Sequence, residues 1–125
     1  MTLKLTLKPG ESVYIGHTRL TVASQATCTV YVDGVAPVLR ANEMIGESDI
    51  AESVSRFRYV LQQMYLGDDV QAMLTDYVDA VSQLLAERPD LTSNVHDVNQ
   101  MVRIGRLYEA VKIGRKMSEP RTKAV

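Results

Sequence analysis

The sequence predicts an α+β protein in which an N-terminal antiparallel sheet precedes a C-terminal bundle of about four helices. Apolar residues recur at every second position until about residue 40, and at every third or fourth position thereafter. These periods are typical of strands and of amphipathic helices, respectively. The change of period follows the Gly-Glu-Ser-Asp stretch at 46–49. We therefore expect a β-sheet module over residues 1–46, a helical module over residues 47–117 and a disordered tail over residues 118–125.

Four short strands, with a fifth at 38–40, account for the alternating part of the chain. The apolar positions that define the first four are Leu3, Leu5 and Leu7, then Val13 and Ile15, then Leu20 and Val22, then Cys28, Val30 and Val32. The turns between strands contain Pro9-Gly10, Gly16-His17, Ser24-Gln25 and Asp33-Gly34. Glycine tolerates a positive φ and proline presets φ near about −65°, as tight turns require. Short strands joined by tight turns predict a β-meander.

Four stretches in the second half have the apolar spacing of helices. Capping boxes pair Asp49 with Glu52 at the start of the first and Asp68 with Gln71 at the start of the second. Breakers then end the helices in chain order at Gly67, Pro89, Gly105 and Pro120. The last two helices are predicted to form a local αα-hairpin that turns at Gly105.

Composition places the chain among ordinary globular proteins. A chain of 125 residues can bury a core large enough to fold without disulfides. No apolar run approaches the ~20 residues that span a bilayer, and the alternating N-terminus is unlike a secretory signal, so we expect a cytoplasmic protein without membrane contact. Cys28 is the only cysteine, which excludes an internal disulfide and a multi-cysteine zinc site.

Charge is segregated along the chain. Residues 1–40 carry four basic and two acidic side chains, and residues 91–125 carry seven basic and three acidic ones. Between them, residues 41–66 carry two basic and four acidic side chains, and residues 67–90 carry one basic and six acidic ones. The two basic ends can attract the acidic middle within the fold or between subunits, or they can bind an external anionic partner.

The sequence predicts neither an enzyme nor a metal or cofactor site. The Gly10-Glu11-Ser12 turn leads into a strand, whereas a P-loop leads into a helix and ends in Gly-Lys-Ser or Gly-Lys-Thr. Ser12 lacks the G-x-S-x-G context of a hydrolase nucleophile. His17 and His96 fall in different modules, and neither has a second ligand at helical spacing. The acidic run on the second predicted helix is typical of a solvated face.

The polar face of the predicted sheet favours RNA binding. If leucines and valines face the core, the opposite face gathers cations and tyrosines, namely Lys4, Lys8, Tyr14, Arg19, Tyr31 and, at its edge, Arg40. Cations that neutralise phosphates beside rings that stack on bases suit single-stranded RNA. The sequence shows no helix-turn-helix or long basic helix for a duplex groove. The alternative interpretation of these polar residues is that they form an ordinary solvated sheet face that binds nothing.

The opening stretch also carries a family resemblance. "LTLKPGESVYIG" at 5–16, "APVLR" at 36–40 and "GRLYEAVK" at 105–112 resemble the FlbT family, regulators of flagellin synthesis, over nearly the whole chain. The resemblance implies a small cytoplasmic repressor that associates with the flagellin mRNA 5′ untranslated region and promotes its degradation. In some relatives the effect on flagellin is positive, so the resemblance does not fix the sign of regulation.

The first third of the chain also looks like the carbon storage regulator family, dimeric β proteins that bind messenger leaders. The likeness lies in Leu5-Thr6, Gly10-Glu11-Ser12 and Ile15-Gly16. The arginine that those proteins place directly after Leu-Thr falls here on Leu7, with Lys8 next. Arg40, followed by Glu43 and Ile45, is loosely similar to the basic edge strand of that family. Lys8 and Arg40 are accordingly the positions that this likeness favours for RNA contact.

Two classes of function follow. The first is a regulator that binds the flagellin mRNA leader through the predicted sheet face. The second is a protein-interaction module whose amphipathic helices engage flagellin or another flagellar regulator, with an indirect effect on expression. The complementary charges of the second helix and the C-terminal hairpin suit this second class. Because a small sheet leaves exposed edges that can pair with a second copy, we also expect a homodimer.

Overall fold

The computed structural model describes residues 2–46, 52–67 and 69–118. Within these residues five strands precede four α-helices, which confirms the predicted α+β fold class. The chain forms two compact units, Met1–Met44 and Ile45–Val125. The tail predicted over residues 118–125 lies outside the described residues except for Ser118, and so do the predicted caps Asp49 and Asp68.

The strands form two antiparallel sheets. They are β1 (Thr2–Leu7), β2 (Ser12–Ile15), β3 (Thr18–Thr21), β4 (Cys28–Asp33) and β5 (Val38–Arg40). β1 pairs with β4, while β2 lies between β3 and β5. This corrects the predicted meander, in which β1 would pair with β2. Both edges of β2 are already hydrogen-bonded to other strands, so β1 pairs with β4 instead.

Two glycine turns redirect the chain, the first from β1 to β2, which lie in different sheets, and the second from β2 to its partner β3. Pro9 and Gly10 form the centre of a turn in which the amide of Glu11 donates to the carbonyl of Lys8 over 3.0 Å. Gly10 has a φ of 79°, as the third residue of a type II turn requires. Gly16 has a φ of 61° at the first central position of the two-residue β2–β3 loop, as in type II′ hairpins.

The inner faces of the two sheets share one core. Leu5 and Leu7 of β1 and Val13 of β2 are buried together, and the residues packed around them are Val22, Val30, Val32 and Val38. Direct cross-strand partners lie on the same face of a sheet. The first sheet therefore packs through its Leu5–Leu7 face and the second through its Val13 face, as in a two-layer β-sandwich. Leu39 of β5 is the exception, because it is buried on the opposite face of the second sheet.

The helical unit contains α1 (Ser53–Leu66), α2 (Leu74–Glu87), α3 (Thr92–Arg103) and α4 (Leu107–Met117). α1 packs against α2 and α4, and α4 also packs against α3. α3 ends in a Schellman motif, because the amide of Arg106 donates to Met101 over 2.9 Å and that of Gly105 donates to Val102 over 3.2 Å. This confirms the predicted hairpin turn.

One close approach between helices and two sets of side-chain hydrogen bonds hold the helical unit together. A Cβ on Gly114 of α4 would lie 3.3 Å from Cδ1 of Leu61, so glycine allows α4 to approach α1 closely. The buried side-chain amide of Gln62 accepts from the Ile45 amide over 2.7 Å and donates to the Ile45 carbonyl over 3.1 Å. The hydroxyl of Tyr77 on α2 donates to Oδ1 of Asn99 on α3.

Candidate nucleic-acid interface

The outer face of the β1–β4 sheet places a cation directly beside an aromatic ring. Lys4 and Tyr31 are cross-strand partners, because the alternation that buries Leu5 and Leu7 turns both of them outward. Lys4 is exposed, and 63% of the surface of Tyr31 is exposed. Both side chains are therefore accessible to a ligand that offers a phosphate and a base.

An acidic residue shares this face. Asp33 ends β4 opposite Thr2, whose hydroxyl donates to the Asp33 carboxylate. The sequence pattern assigned Asp33 to a turn, whereas the strand includes it. Its charge opposes that of Lys4, so this face attracts anions less strongly than the sequence indicated.

The outer face of the second sheet repeats the arrangement. Tyr14 of β2 lies directly opposite Arg19 of β3. Arg19 is exposed, while Tyr14 is half-buried. Leu39, the partner of Tyr14 on β5, has no exposed surface, so this face is not open across its whole width.

Arg40 lies on the other side of this sheet. It is the direct partner of Val13, so it occupies the inner face and does not join Tyr14 and Arg19. Its Nη1 donates to the carbonyl of Thr6 in β1 over 3.3 Å, and its backbone amide donates to Oε1 of Glu43 over 2.9 Å. Arg40 therefore bonds the second sheet to the backbone of the first.

Lys8 follows β1 and is exposed. Its backbone amide donates to Oε1 of Glu11 over 2.6 Å, which fixes the Lys8–Pro9–Gly10–Glu11 turn. The acidic residue of the opening motif thus holds the turn, and the lysine side chain is left at the surface.

The six candidate residues therefore do not form one continuous surface. Two cation–tyrosine pairs, Lys4 with Tyr31 and Arg19 with Tyr14, lie on outward faces of sheets that pack through their inner faces. Such faces point in opposite directions. The structure brings the residues together only in pairs.

The helical unit contains a basic stripe that the sequence analysis did not assign to a site. Its exposed members are Tyr108, Lys112, Arg115 and Lys116 of α4. The ammonium of Lys112 lies 5.6 Å from the centroid of the Tyr108 ring and 3.6 Å from Oε2 of Glu109. The spacing i, i+4, i+7 and i+8 places all four residues on one side of a helix. The excess of basic residues at the C-terminal end of the sequence was a signal of this stripe.

Three described groups of the helical unit have a shifted pKa, and burial is the main cause for two of them, Tyr77 and Arg58. Burial raises the pKa of Tyr77 to about 12. Burial, and then the charge of Arg115, lower the pKa of Arg58. Both effects disfavour the charged form of Arg58.

Neither a metal site nor a membrane span is found among residues 2–46, 52–67 and 69–118. No three histidine, cysteine or carboxylate side chains in these ranges are grouped so that they could hold a metal ion. No helix in the same ranges has the length and apolar character to cross a bilayer.

Comparison with known proteins gives matches along nearly the whole chain. A family model described as "Flagellar protein FlbT" matches residues 3–123. A probable flagellum biosynthesis repressor protein FlbT of Rhodopseudomonas palustris strain TIE-1 is 29% identical over 112 residues, which cover 90% of this chain and 88% of that protein. A probable flagellum biosynthesis repressor protein FlbT 1 of Bradyrhizobium diazoefficiens strain USDA 110 is 28% identical over 119 residues, 94% of this chain and 80% of that protein. No solved structure matches the chain significantly.

Proposed function

This chain belongs to the FlbT family of flagellar proteins, and on that basis we propose that it is a post-transcriptional repressor of flagellin synthesis. In this proposal it acts in the cytoplasm, associates with the 5′ untranslated region of flagellin mRNA and promotes degradation of the message. The family match confirms the resemblance seen in the opening stretch, and similar relatives are named flagellum biosynthesis repressors.

The exposed Lys4–Tyr31 pair is the observation that supports direct RNA contact most strongly. A cation and an accessible ring are adjacent on one sheet face, which suits one phosphate and one unpaired base. The Arg19–Tyr14 pair offers a second, less accessible site of the same kind. The protein would promote decay by exposing the message or by recruiting another factor.

We also propose that the protein is a homodimer formed through β4. Among the described strands, β4 pairs only with β1, and a two-stranded sheet is marginally stable by itself. The other edge of β1 is met by Arg40 at the Thr6 carbonyl, which leaves β4 as the accessible edge. Antiparallel pairing of β4 with its copy would place two Lys4–Tyr31 pairs on one face of a four-stranded sheet. Sedimentation equilibrium tests this proposal, and a monomer at tens of micromolar would contradict it.

RNA binding is tested with a fluorescent flagellin leader and a double variant, Lys4→Ala with Tyr31→Ala. We expect weaker binding and a salt dependence reduced by roughly 0.7 log unit per log unit of salt, because one phosphate contact is lost. The matched control is Thr6→Ala with Thr29→Ala, which alters a direct cross-strand pair on the same face but removes neither a cation nor a ring. Equal binding by the two variants would contradict a role for this face.

The second candidate function is a protein-interaction module. Its support is α2, where the exposed carboxylates of Asp76 and Asp79 flank Val78, which is 58% exposed. An apolar side chain between charges suits a basic partner protein. Co-purification of the chain with flagellin and without RNA would favour this candidate over the leader-binding one.

A further inference from the structure

Tyrosine and arginine side chains lie along the line where α1 and α4 meet. The rings of Tyr65 on α1 and Tyr108 on α4 have centroids 5.5 Å apart, with an interplanar angle of 44°. Farther along, Arg58 of α1 lies against the end of α4, where a Cβ on Gly114 would be 3.4 Å from its Cγ and where its Nη1 donates to the hydroxyl of Ser118 over 3.0 Å. We call this surface the α1–α4 ridge and define it as Arg58, Tyr65, Tyr108, Lys112, Arg115 and Lys116.

Helical spacing accounts for this arrangement. Arg58 and Tyr65 are seven residues apart on α1, as are Tyr108 and Arg115 on α4, so each pair of positions shares one side of its helix. The antiparallel packing of α1 and α4 then places the Tyr65 ring beside the Tyr108 ring, and Arg58 beside the last turn of α4, which carries Arg115. At 1.5 Å per residue, seven residues span roughly 10.5 Å along each helix. Gly114 allows this close approach, since a Cβ there would lie 3.4 Å from Cγ of Arg58.

The opposite side of α4 explains why its charges face outward. The buried residues of α4 are Ala110, Val111, Gly114 and Met117, which form a single apolar stripe. Lys112, Arg115 and Lys116 are exposed on the remaining side. The exposed cations of this helix are therefore concentrated at the ridge and not spread around the helix.

The electrostatics of the ridge favour an anion. Arg58 is half-buried, and its Nη1 donates to the neutral hydroxyl of Ser118 over 3.0 Å. Its pKa is lowered first by burial and then by Arg115, so its surroundings oppose its charge. A phosphate at Arg58 would offset both unfavourable effects, because a guanidinium can donate bidentate hydrogen bonds to it.

We propose that the α1–α4 ridge is a binding site for single-stranded RNA. Arg58 and Arg115 bind a phosphate, Lys112 and Lys116 contact the neighbouring backbone, and Tyr108 stacks on a base. The proposal rests on the RNA binding proposed above and adds a second surface on the helical unit.

The tyrosine pair distinguishes RNA from an acidic protein as the ligand. The Tyr108 ring already has Lys112 within cation–π range, and an exposed contact of that kind is weaker than stacking on a nucleobase. A base can therefore take the place of the Lys112 ammonium, which also lies 3.6 Å from Oε2 of Glu109 and would exchange that exposed carboxylate for a phosphate. An acidic peptide would use the cations but would gain little from the rings.

The test is fluorescence anisotropy of a labelled twelve-nucleotide oligouridine, titrated at several salt concentrations. We expect Arg115→Gln to weaken binding about 5-fold at roughly 0.1 M salt, which follows from ~0.7 log unit per phosphate contact. Tyr108→Leu should weaken binding by at least about 5-fold with an unchanged salt slope, because it removes stacking and no charge. Arg115→Lys should retain the wild-type slope.

Arg103→Gln is the matched control. Arg103 is an exposed arginine in the last turn of α3, as Arg115 is in the last turn of α4, so both substitutions remove the same charge from the same type of position. The control should leave the salt slope unchanged. Circular dichroism melting of each variant excludes unfolding as the cause of lost binding.

Three outcomes would overturn the ridge proposal, and they can be told apart. Wild-type protein that binds neither the oligouridine nor a flagellin leader would contradict both the ridge and the proposed function. Binding that is lost with Lys4→Ala and Tyr31→Ala but unchanged with Arg115→Gln and Tyr108→Leu would reject only the ridge. Equal losses with Arg115→Gln and Arg103→Gln, with Tyr108→Leu unaffected, would indicate general charge attraction and no site at the ridge.

Discussion

Replacing Arg40 and Lys8 separately by alanine tests whether these two residues act in the same way. The sequence favours both as RNA contacts. The structure assigns them different environments, because the Arg40 guanidinium bonds the Thr6 carbonyl whereas Lys8 is an exposed residue in a turn held by Glu11. We expect Arg40→Ala to lower the stability of the sheet unit and Lys8→Ala to lower RNA affinity.

The size of the stability effect follows from the geometry of the Arg40 contact. Arg40→Ala removes one hydrogen bond. Because this bond is 3.3 Å long and exposed, it should contribute less free energy than most hydrogen bonds from a charged donor. A loss of about 1 kcal/mol is the expected change in the free energy of unfolding. With a urea m-value of about 2 kcal/mol/M, the midpoint should fall by about 0.5 M. The removal of an exposed lysine ammonium at Lys8 should leave the midpoint unchanged.

Urea denaturation and leader binding, measured on the same preparations, distinguish the two roles. Lys8→Ala should reduce the salt slope of RNA binding by roughly 0.7, and Arg40→Ala should leave that slope unchanged. Arg40→Lys is the control for charge, because it keeps the positive charge of the side chain and loses only the planar geometry of the guanidinium group. The reasoning would be refuted if Arg40→Ala kept its urea midpoint and lost the same salt slope as Lys8→Ala.

Three further predictions concern the helical unit. Because the folded pKa of Tyr77 is about 12, above its ordinary value of about 10, its contribution to stability is present below about pH 10 and is lost as pH rises towards about 12. The loss is at most about 2.7 kcal/mol at 1.36 kcal/mol per unit, and Tyr77→Phe should remove this part of the pH dependence of denaturation. Gly114→Val should lower the free energy of unfolding by about 1–3 kcal/mol through overpacking against Leu61; an unchanged melting temperature would contradict the close approach. Gln62→Glu should cost about 1–3 kcal/mol at neutral pH, because the donor to the Ile45 carbonyl is lost, and the cost should shrink near about pH 4, where the carboxyl group is protonated and can donate.

Alternation within a strand predicted the outward direction of Lys4, Tyr14, Arg19 and Tyr31, because a strand with one buried face must turn every second residue away from the core. Turn chemistry predicted the bends at Gly10, Gly16 and Gly105, where φ is positive. These features depend only on neighbouring residues. They could therefore be read from the sequence without knowledge of which strands pair.

The position of Arg40 could not be predicted in the same way. β5 has only three residues, and both Val38 and Leu39 are apolar, so the pattern does not indicate which face is inward. Pairing with β2 decides the matter by placing Arg40 beside Val13 and Leu39 beside Tyr14. Register is a non-local property, and a shift by one residue exchanges the two faces of a strand.

The ridge was missed for a related reason. The spacing of Tyr108, Lys112 and Arg115 is visible in the sequence, but the contribution of Arg58 and Tyr65 requires knowledge that α1 lies antiparallel to α4. Interhelical packing depends on the shape of the contact at Gly114 and Leu61, which single-helix periodicity does not report. The C-terminal excess of basic residues therefore indicated an anionic partner without indicating where it binds.

The two proposed RNA surfaces, the Lys4–Tyr31 pair and the α1–α4 ridge, predict an effect of RNA length that a single surface would not produce. A strand that contacts both surfaces binds the second one as an intramolecular step, so its affinity exceeds that for either surface alone. For such a strand the losses caused by Lys4→Ala and by Arg115→Gln should multiply in the double variant, because the affinity varies with the product of the two site affinities. A strand too short to contact both surfaces can bind whichever surface a single variant leaves intact, so the double variant should lose more affinity than the two single effects combined. Anisotropy measured with RNAs of increasing length tests this prediction, and a single variant that leaves the affinity unchanged at every length would show that its surface does not bind RNA.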